Sequence, residues 1–296
     1  MRAVKVAVVT SGEGVAHDAD LPLIAEALRA DGLAARAVAW DDPRTSWDGF
    51  DLAVIRSTWD YAERIGEFLA WADATAGATR LWNPAPVVRW NSDKRYLADL
   101  AARGVRVVPT RFLEPGGPYG EADFDRPGGV VVKPAVSAGA RDTARYEPGR
   151  HADAARHARM LLDRGRTVMV QPYLRRVQEG ERALVFLGGA YSHAIRKGPL
   201  LTEAGVIDNF RVAHPGVTAY QPTDAELRTA REALAAVPAP GAPVFARVDL
   251  ALGGDGEPVV MELELIEPNL FLRYAPQGPR RFAEAVRAAA PVEAAG

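Results

Sequence analysis

The sequence predicts an α/β unit followed by two α+β units, and two patterns carry that prediction. Through about the first 90 residues, apolar strand-like segments alternate with helical segments, which is typical of a parallel sheet with right-handed crossovers. Further on, strands come in pairs joined by loops rich in glycine and proline, which favours antiparallel pairing. The 296 residues suffice for two or three domains, although one large domain also fits. We predict units at residues 1–90, 91–180 and 181–296.

The elements of the first unit follow from hydrophobic periodicity. Continuous apolar runs predict strands at residues 4–10, 35–40 and 52–55. Helical spacing of apolar residues predicts helices at 21–30 and 61–72, and an Asp-Gly pair ends the first of them. Ligands of parallel sheets bind at the carboxyl ends of the strands, so the loops that follow these strands are candidate binding loops.

The turn after the third strand is unusually rich in functional groups. Its side chains include Arg56, Ser57, Thr58, Asp60 and Tyr61. One interpretation is a helix N-terminus, in which Ser57 or Thr58 caps the helix and Asp60 interacts favourably with its dipole. The other interpretation is ligand contact. Both stay open for the two hydroxyl residues, whereas we favour ligand contact for Arg56 and Asp60.

Periodicity also places the elements of the second and third units. In the second unit, a helix at 92–103, capped by Asn91 or Ser92, begins the unit. The other elements predicted there are strands at 107–108, 111–113, 129–133 and 167–171 and a helix at 151–164. In the third unit we predict strands at 182–187 and 191–197, a long loop at 200–216, and helices at 223–236 and 280–289. Loops of that length often form lids or binding loops.

Two strand-like segments near the end of the chain form the most informative pattern. An Asp-Gly pair between them is a strong hairpin signal. Closing the turn there sets Asp249 opposite Glu262 and Arg247 opposite Glu264, so that three carboxylates and an arginine share one face. Because packed carboxylates repel one another, a hard divalent cation such as Mg²⁺ would stabilise them. The alternative is a solvated outer face with an Arg–Glu cross-strand pair.

A lysine followed by small residues suggests a phosphate-binding loop. Lys133 ends a predicted strand, and Ser137, Ala138 and Gly139 follow it. Their small side chains would let backbone N–H groups approach phosphate oxygens, while the lysine supplies a point charge. This is not a Walker A loop, because no Gly-Lys-Ser or Gly-Lys-Thr follows the glycine. Taken in isolation, a flexible hairpin turn with a solvated lysine is the favoured alternative.

A strand end further on has the groups that an adenine site needs. Gln171, Tyr173 and Leu174 surround a proline that has no N–H, so the backbone donor for adenine would be Leu174. Glu179 lies a few residues later and could accept hydrogen bonds from ribose hydroxyls. Each of these signals is weak alone, and it is their order along the chain that favours a nucleotide site.

Composition excludes several other classes of protein. A net charge of −2 provides no field that would draw the chain to nucleic acid or to anionic membranes. The absence of cysteine excludes disulfides, thiol nucleophiles and cysteine-ligated zinc, and it fits a cytoplasmic protein. No apolar run approaches membrane-spanning length, and the first residues lack the apolar core of a signal peptide.

The order of the candidate residues resembles that of the ATP-grasp superfamily over nearly the whole chain. The resemblance implies an ATP-grasp fold, in which the first unit binds substrate and the other two clamp ATP. It also implies Mg²⁺, as two ions that Mn²⁺ could replace. The contacts it implies are Lys94, Lys133 and the small-residue loop for the phosphates, Gln171, Tyr173 and Leu174 for adenine, Glu179 for ribose, Asp249, Glu262 and Glu264 for metal, and Arg247 for the charge on the reacting carboxylate. Many members have asparagine where this chain has Glu264, which leaves the metal coordination open.

Three short sequence motifs, at residues 56–61, 82–84 and 262–268, are similar to those of one branch of the superfamily, the O-ureido-D-serine cyclo-ligases. That branch implies activation of an amino-acid carboxylate as an acyl phosphate, followed by ring closure through a nitrogen of the same molecule, in antibiotic biosynthesis. One alternative is an intermolecular ligase that joins an amino acid to a second amine. Another is an ATP-binding regulator without catalysis.

The same resemblance suggests how a small zwitterionic amino acid would be held. The turn at residues 56–61, together with Glu267 and Asn269, is the candidate substrate site, with Asp60 or Glu267 facing the ammonium group. Homologous ligases often pair, so a homodimer is a further expectation.

Spacing adds a lysine, a histidine and a loop to these candidates. Lys197 and His193 share a strand face, so that Lys197 could reach the γ-phosphate and His193 could line the substrate pocket. A structural role is the more common one for a lone strand histidine. Residues 208–211 could close over the reaction and exclude water, or form an ordinary loop.

Overall fold

The computed structural model describes residues 2–207, 216–239 and 241–291. Within these ranges the strands form one parallel and two antiparallel sheets, which confirms the predicted combination of an α/β unit with two α+β units. The predicted loop at residues 208–211 lies outside the described residues. In the described part of the chain, no helix combines the length and the apolar character that are needed to cross a bilayer.

The amino-terminal unit is a four-stranded parallel sheet with helices. Its elements are β1 (Lys5–Thr10), α1 (Gly12–His17), α2 (Leu21–Ala30), β2 (Ala34–Ala39), β3 (Leu52–Ser57), α3 (Ile65–Ala78), β4 (Arg80–Trp82) and α4 (Ala85–Asn91). The strand order is β2-β1-β3-β4, and all the pairs are parallel. The carboxyl ends of β1 and β3 therefore lie side by side, as the prediction of a binding edge requires.

The central unit is a four-stranded antiparallel sheet. Its elements are α5 (Tyr96–Ala102), β5 (Arg111–Leu113), β6 (Val130–Pro134), β7 (Ala144–Tyr146), α6 (His151–Leu162) and β8 (Val168–Pro172). The strand order is β5-β8-β6-β7. Because β6 is paired on both sides, Lys133 near its end has a fixed position, and the small-residue loop joins β6 to β7.

The carboxyl-terminal unit is a five-stranded antiparallel sheet. Its elements are β9 (Glu181–Leu187), β10 (Ala190–Lys197), β11 (Thr218–Tyr220), α7 (Asp224–Ala235), β12 (Phe245–Leu252), β13 (Pro258–Glu264) and α8 (Gly278–Ala289). The strand order is β11-β10-β9-β12-β13. Hydrophobic clusters cross the unit boundaries, since Val8 and Leu52 share a core with Phe245 and Phe282. The division at residues 90 and 180 therefore stays a proposal.

The β12–β13 hairpin has the register that the sequence predicts. Arg247 pairs with Glu264, and Asp249 pairs with Glu262. The arginine and the three carboxylates therefore share one face of this sheet. The predicted alternative of a solvated face is wrong for Arg247 and Asp249, which are 4% and 2% exposed.

The hairpin turn, however, lies one residue away from its predicted position. Gly253 N–H donates to Glu257 O (2.8 Å), which leaves a loop of three residues rather than two. Gly256 adopts a positive φ of 86°, as three-residue hairpin loops require. A β-bulge after Asp249 leaves Met261 unpaired and shifts the register back. The two displacements cancel, and for this reason the predicted face is right.

The helix predicted at residues 92–103 is wrong at its start. Asn91 ends α4, and Lys94 lies in the turn before α5 rather than on a helix. The side chain of Asn91 does not cap a helix, because it pairs with the backbone of β13. Its amide donates to Leu263 O and accepts from Leu265 N–H, both at 2.8 Å. A competing partner from a distant strand thus overrides a local capping signal.

The capping interpretation of residues 57 and 58 is also wrong. Ser57 ends β3, a 3₁₀ turn spans Tyr61–Glu63, and α3 begins at Ile65 without a side-chain cap. The predicted strand at 107–108 is a single bridge between Val107 and Val260. The short elements α1, β4, α4, β7 and β11 are missing from the sequence-based predictions, because segments of three to seven residues show little periodicity.

We expect the Asn91→Ala variant to lower the free energy of unfolding by about 2–3 kcal/mol, because it leaves two buried backbone groups of β13 without partners. Urea unfolding would measure this change. The control is Asp73→Ala, which removes an exposed ion pair with Arg89 and should cost less than about 1 kcal/mol. Equal effects of the two substitutions would contradict the assigned role of Asn91.

Candidate active site

The cleft between the central and carboxyl-terminal sheets contains a buried cluster of charges around Asp249. Arg247 donates to both carboxylate oxygens of Asp249, from Nε (2.8 Å) and from Nη2 (2.9 Å), and it also pairs with Glu264. Lys197 Nζ donates to Asp249 Oδ2 at 2.8 Å and pairs with Glu181 as well. Arg247, from the same strand as Asp249, and Lys197, from β10, thus neutralise the central carboxylate.

Two lysines from other elements complete the cluster. Lys94 Nζ lies 3.2 Å from Glu262 Oε1 and donates to Ser137 O at 2.6 Å. Its own backbone N–H donates to Ala135 O (2.9 Å), which ties the turn before α5 to the small-residue loop. Lys133 lies close enough that burial, together with the charge of Lys94, lowers its pKa. The lysines therefore converge on the same carboxylate, Glu262.

Burial and neighbouring charges separate the pKa values of the carboxyl groups. Burial alone would raise the pKa of Asp249, but Arg247 and Lys197 outweigh it and hold that pKa well below the usual range. Burial raises the pKa of Glu264 to about 7, although Arg247 opposes the shift. Burial and the nearby charge of Glu264 raise the pKa of Glu267 to about 8. Near neutral pH, therefore, Asp249 is ionised, whereas Glu264 and Glu267 are partly protonated.

The donor set fits a divalent metal that is shared with phosphates. Among the described residues, no three acidic or histidine side chains are gathered closely enough to enclose an ion by themselves. Asp249, Glu262 and Glu264 each have a lysine or arginine partner instead. Mg²⁺ commonly uses one or two protein carboxylates and completes its shell with phosphates and water. Carboxylates on one sheet face suit that mode.

At the strand end proposed for adenine, part of the backbone is already hydrogen-bonded within the protein. Tyr173 N–H donates to Gly129 O at 3.0 Å, so Leu174 is the next residue that could offer an N–H group. The guanidinium of Arg145 lies 5.0 Å from the centre of the Tyr173 ring. The side-chain amide of Gln171 donates to Thr110 Oγ1 at 2.8 Å. These contacts give the edge of the cleft a defined shape.

The ribose candidate lies at the rim of the cleft. Glu179 is half-exposed and accepts two hydrogen bonds from Arg176, at 2.7 and 3.0 Å. Hydrogen bonding by Arg176 lowers the pKa of Glu179, so it is ionised at neutral pH. An ionised carboxylate at this position can accept hydrogen bonds from hydroxyl groups.

The small-residue loop contacts the amino-terminal unit. Gly139 and Ala140 have positive φ angles of 64° and 58°, and Arg141 pairs with Glu63. Ala138 packs against the hydrophobic cluster of the amino-terminal sheet. The loop therefore lies between Lys94 and the turn that follows β3.

The structure gives most side chains of that turn a protein partner. Arg56 is buried and pairs with two aspartates, and Ser57 Oγ lies 2.8 Å from Thr10 Oγ1. Asp60 accepts from the indole of Trp40 (3.1 Å). Thr58 Oγ1 is buried and has no hydrogen-bond partner among the described residues.

Three other candidates lie at the inner end of the cleft. Tyr61 is buried close to Glu267, and burial and the charge of that carboxyl raise its pKa well above the ordinary value. Asn269 uses its carbonyl for Arg247 and its side chain for a backbone N–H. His193 bonds Leu270 O at 2.8 Å, and burial lowers its pKa. The substrate contacts proposed for these residues stay predictions.

Sequence reasoning missed Glu181. It lies opposite Lys197 in the β9–β10 hairpin, and burial raises its pKa. The sequence could have indicated this pair. Extending the predicted strand at 182–187 by one residue at its start sets Glu181 opposite Lys197.

Comparisons with known proteins agree along the length of the chain. Residues 6–83 match the family model of the N-terminal domain of D-cycloserine synthetase DcsG. The chain is 40% identical over 294 residues to the cycloserine biosynthesis protein DcsG of Streptomyces lavendulae, covering 95% of this chain and 97% of that protein. The crystal structure of D-cycloserine synthetase DcsG is similar with a TM-score of 0.89 and 37% identity, over 96% of this chain and 99% of that one.

A more distant solved structure has the same fold. D-alanine–D-alanine ligase from Bacillus anthracis, complexed with ATP, has a TM-score of 0.69 at 13% identity, over 98% of this chain and 99% of that one. The three units and the cleft between them are those of an ATP-grasp ligase, an ATP-dependent enzyme that forms carbon–nitrogen bonds. With 40% identity along almost its whole length, this chain belongs to the D-cycloserine synthetase family within that class.

We expect the ligand-free Glu267→Gln variant to melt roughly 5 °C above the wild type at pH 9 and at the same temperature at pH 5. The folded pKa of Glu267 is about 8, above that of the unfolded chain, so the folded state loses stability as pH rises between the two values. The substitution removes that loss. Calorimetry at both pH values measures it.

The control for this prediction is Glu284→Gln on α8, where the side chain is exposed. Its effect on the melting temperature should be the same at pH 5 and pH 9. A gain for Glu267→Gln that did not depend on pH would show that the raised pKa is not its cause.

Proposed function

We propose that this chain is an ATP-dependent cyclo-ligase that converts O-ureido-D-serine into D-cycloserine, a step of antibiotic biosynthesis in the cytoplasm. The observation that carries the proposal is the buried cluster in which Arg247 and three lysines surround Asp249 and Glu262. Membership of the D-cycloserine synthetase family supports the choice of substrate. A homodimer remains an expectation from the family resemblance.

The lysines of the cleft are suited to hold the phosphates of ATP. Lys94, Lys133 and Lys197 compensate carboxylates in the ligand-free protein, and they have the charge and the position to contact phosphate oxygens instead. Backbone N–H groups of the loop at residues 137–139 would add neutral donors. Gln171, Tyr173 and Leu174 would line adenine, with Glu179 on the ribose.

Asp249, Glu262 and Glu264 would hold the divalent metal. When bound, Mg²⁺ neutralises charge between phosphate oxygens. We further expect two Mg²⁺ ions, which Mn²⁺ could replace. Glu264 has a raised pKa, so an approaching cation would favour release of its proton. The ionised carboxylate of Glu264 would then be a further negative ligand.

The residues of the chain contribute mainly position and charge to the reaction. The substrate carboxylate attacks the γ-phosphorus to give an acyl phosphate and ADP, and Arg247 would stabilise the charge that develops there. The ureido-bearing nitrogen then attacks the carbonyl carbon, phosphate leaves, and the carbamoyl group is lost by hydrolysis. Glu267, once ionised, would face the substrate ammonium group, and the turn at residues 56–61 with Asn269 would close the pocket.

An intermolecular ligase is the second candidate, since the same cluster would activate a carboxylate for any nitrogen nucleophile. A non-catalytic regulator is disfavoured, because Arg247, Asp249 and Glu262 are all in place.

We expect ADP release with Mg-ATP and O-ureido-D-serine as the single amino-acid substrate, with D-cycloserine identified by mass spectrometry. The L-isomer and serine are the control substrates and should give at least about tenfold less turnover, because a pocket built on hydrogen bonds rejects analogues that mismatch them. Turnover that appeared only after a second amino acid was added would overturn the cyclo-ligase proposal in favour of the intermolecular one.

We expect the Glu262→Gln variant to lose at least about a hundredfold in kcat, because a metal ligand and the partner of Lys94 disappear together. The matched control is Glu257→Gln, at an exposed residue beside the loop of the same hairpin, which should keep normal turnover. Circular dichroism would verify that both variants are folded. Normal turnover by a folded Glu262→Gln protein would refute the metal assignment.

A further inference from the structure

The segment that follows β13 is held by side chains from two units. Each of four consecutive carbonyl groups, at residues 267 to 270, accepts a hydrogen bond from a side chain. The donors are Trp59 Nε1 to Glu267 O (3.2 Å), Arg56 Nη1 to Pro268 O, Arg247 Nη1 to Asn269 O (3.0 Å) and His193 Nε2 to Leu270 O (2.8 Å). Trp59 and Arg56 belong to the amino-terminal unit, whereas the other two donors belong to the carboxyl-terminal sheet.

The next two amide groups are held in the same way. Phe271 N–H donates to Asn269 Oδ1, and Leu272 N–H donates to Asp20 Oδ1, both at 3.0 Å. Phe271 has a φ of 51°, a conformation that a bulky residue keeps only when its surroundings determine it. We call residues 267–272 the clamped segment.

Arg56 is the central donor of this arrangement. Its side chain is 1% exposed, and its Nη2 bonds Asp18 (2.9 Å) and Asp20 (3.2 Å) while Nη1 bonds Pro268 O. Asp20 in turn holds Leu272, so one buried ion cluster of the amino-terminal unit contacts both ends of the clamped segment. A planar guanidinium can hold three acceptors at fixed angles, and a lysine ammonium cannot reproduce that geometry.

We propose that Arg56 is a positioning residue for the ligation reaction rather than a substrate contact. It fixes the clamped segment, and the segment in turn positions two groups of the proposed site, the carboxyl of Glu267 and the guanidinium of Arg247. Glu267 is the first residue of the segment, and the carbonyl of Asn269 orients Arg247, which also bonds Asp249. This inference rests on the proposed function, because the kinetic part of its test needs a working ligation assay.

The first test is hydrogen–deuterium exchange of the ligand-free Arg56→Lys protein. We expect faster exchange of the Phe271 and Leu272 amides and no change elsewhere in the carboxyl-terminal sheet. The matched control is Arg103→Lys, which removes another guanidinium contact to a distant carbonyl, that of Ala236. Unchanged exchange at Phe271 and Leu272, or faster exchange throughout the sheet, would overturn the proposal.

The second test separates positioning from substrate contact by kinetics. A positioning role predicts that Arg56→Lys lowers kcat about tenfold to hundredfold while the KM values for ATP and for the amino acid change less than about threefold. Trp59→Phe removes one neutral donor to the segment and should lower kcat in the same sense. A rise of the amino-acid KM for Arg56→Lys with kcat retained would identify Arg56 as a substrate contact and overturn the proposal.

The two tests also separate failure of this inference from failure of the proposed function. If the wild type does not turn over the ureido substrate, the proposed function fails, and exchange alone then decides whether Arg56 fixes the segment. If Arg56→Lys does not fold, Trp59→Phe takes its place in both measurements, because it keeps the buried charges and an aromatic ring while it removes the bond to Glu267 O. Normal exchange and normal kcat for Trp59→Phe would then overturn the proposal.

Discussion

Compensation between buried carboxylates and buried cations is the constraint on which this molecule depends. The cleft brings together five acidic side chains, Glu181, Asp249, Glu262, Glu264 and Glu267, and four basic ones, Lys94, Lys133, Lys197 and Arg247. An unpaired buried charge is strongly destabilising, so the acids need basic partners, and most of those partners come from other elements. The basic residues come from β6, β10, β12 and the turn before α5. The cleft is therefore complete only when the central and carboxyl-terminal sheets are packed together.

The edge strand β13 shows how the same contacts serve both stability and the site. Its outer edge is covered by side chains rather than by another long strand: Asn91 bonds Leu263 and Leu265, and Tyr96 accepts from Leu263 N–H at 2.9 Å. Covering an edge strand prevents it from pairing with other chains. Because Lys94 lies between Asn91 and Tyr96, the residues that cover the strand also deliver the lysine to Glu262.

The cleft has one more acid than base among the residues named above. Burial is the main cause of the raised pKa values of Glu264 and Glu267, and neighbouring carboxylates add to both shifts. A site with an excess of acid gains stability when it binds positive charge, which the proposed divalent metal and substrate ammonium group would both provide. Burying these acids lowers the stability of the ligand-free protein, and such a loss of stability is common at functional sites.

The sequence by itself determined the periodic elements and the chemistry of the cleft. Helix α2 was predicted at its observed bounds, because ten residues of amphipathic spacing are sufficient to define it. The face shared by Arg247, Asp249, Glu262 and Glu264 followed from alternation along two strands. In contrast, tertiary structure decided the partners of individual polar side chains. Asn91 had the local signature of a cap and instead bonds β13, and the structure gives Arg56 two aspartate partners that local sequence did not indicate. A hydrogen bond or an ion pair goes to whichever partner packing brings within about 3 Å, and that partner was 172 residues away for Asn91 and 38 residues away for Arg56.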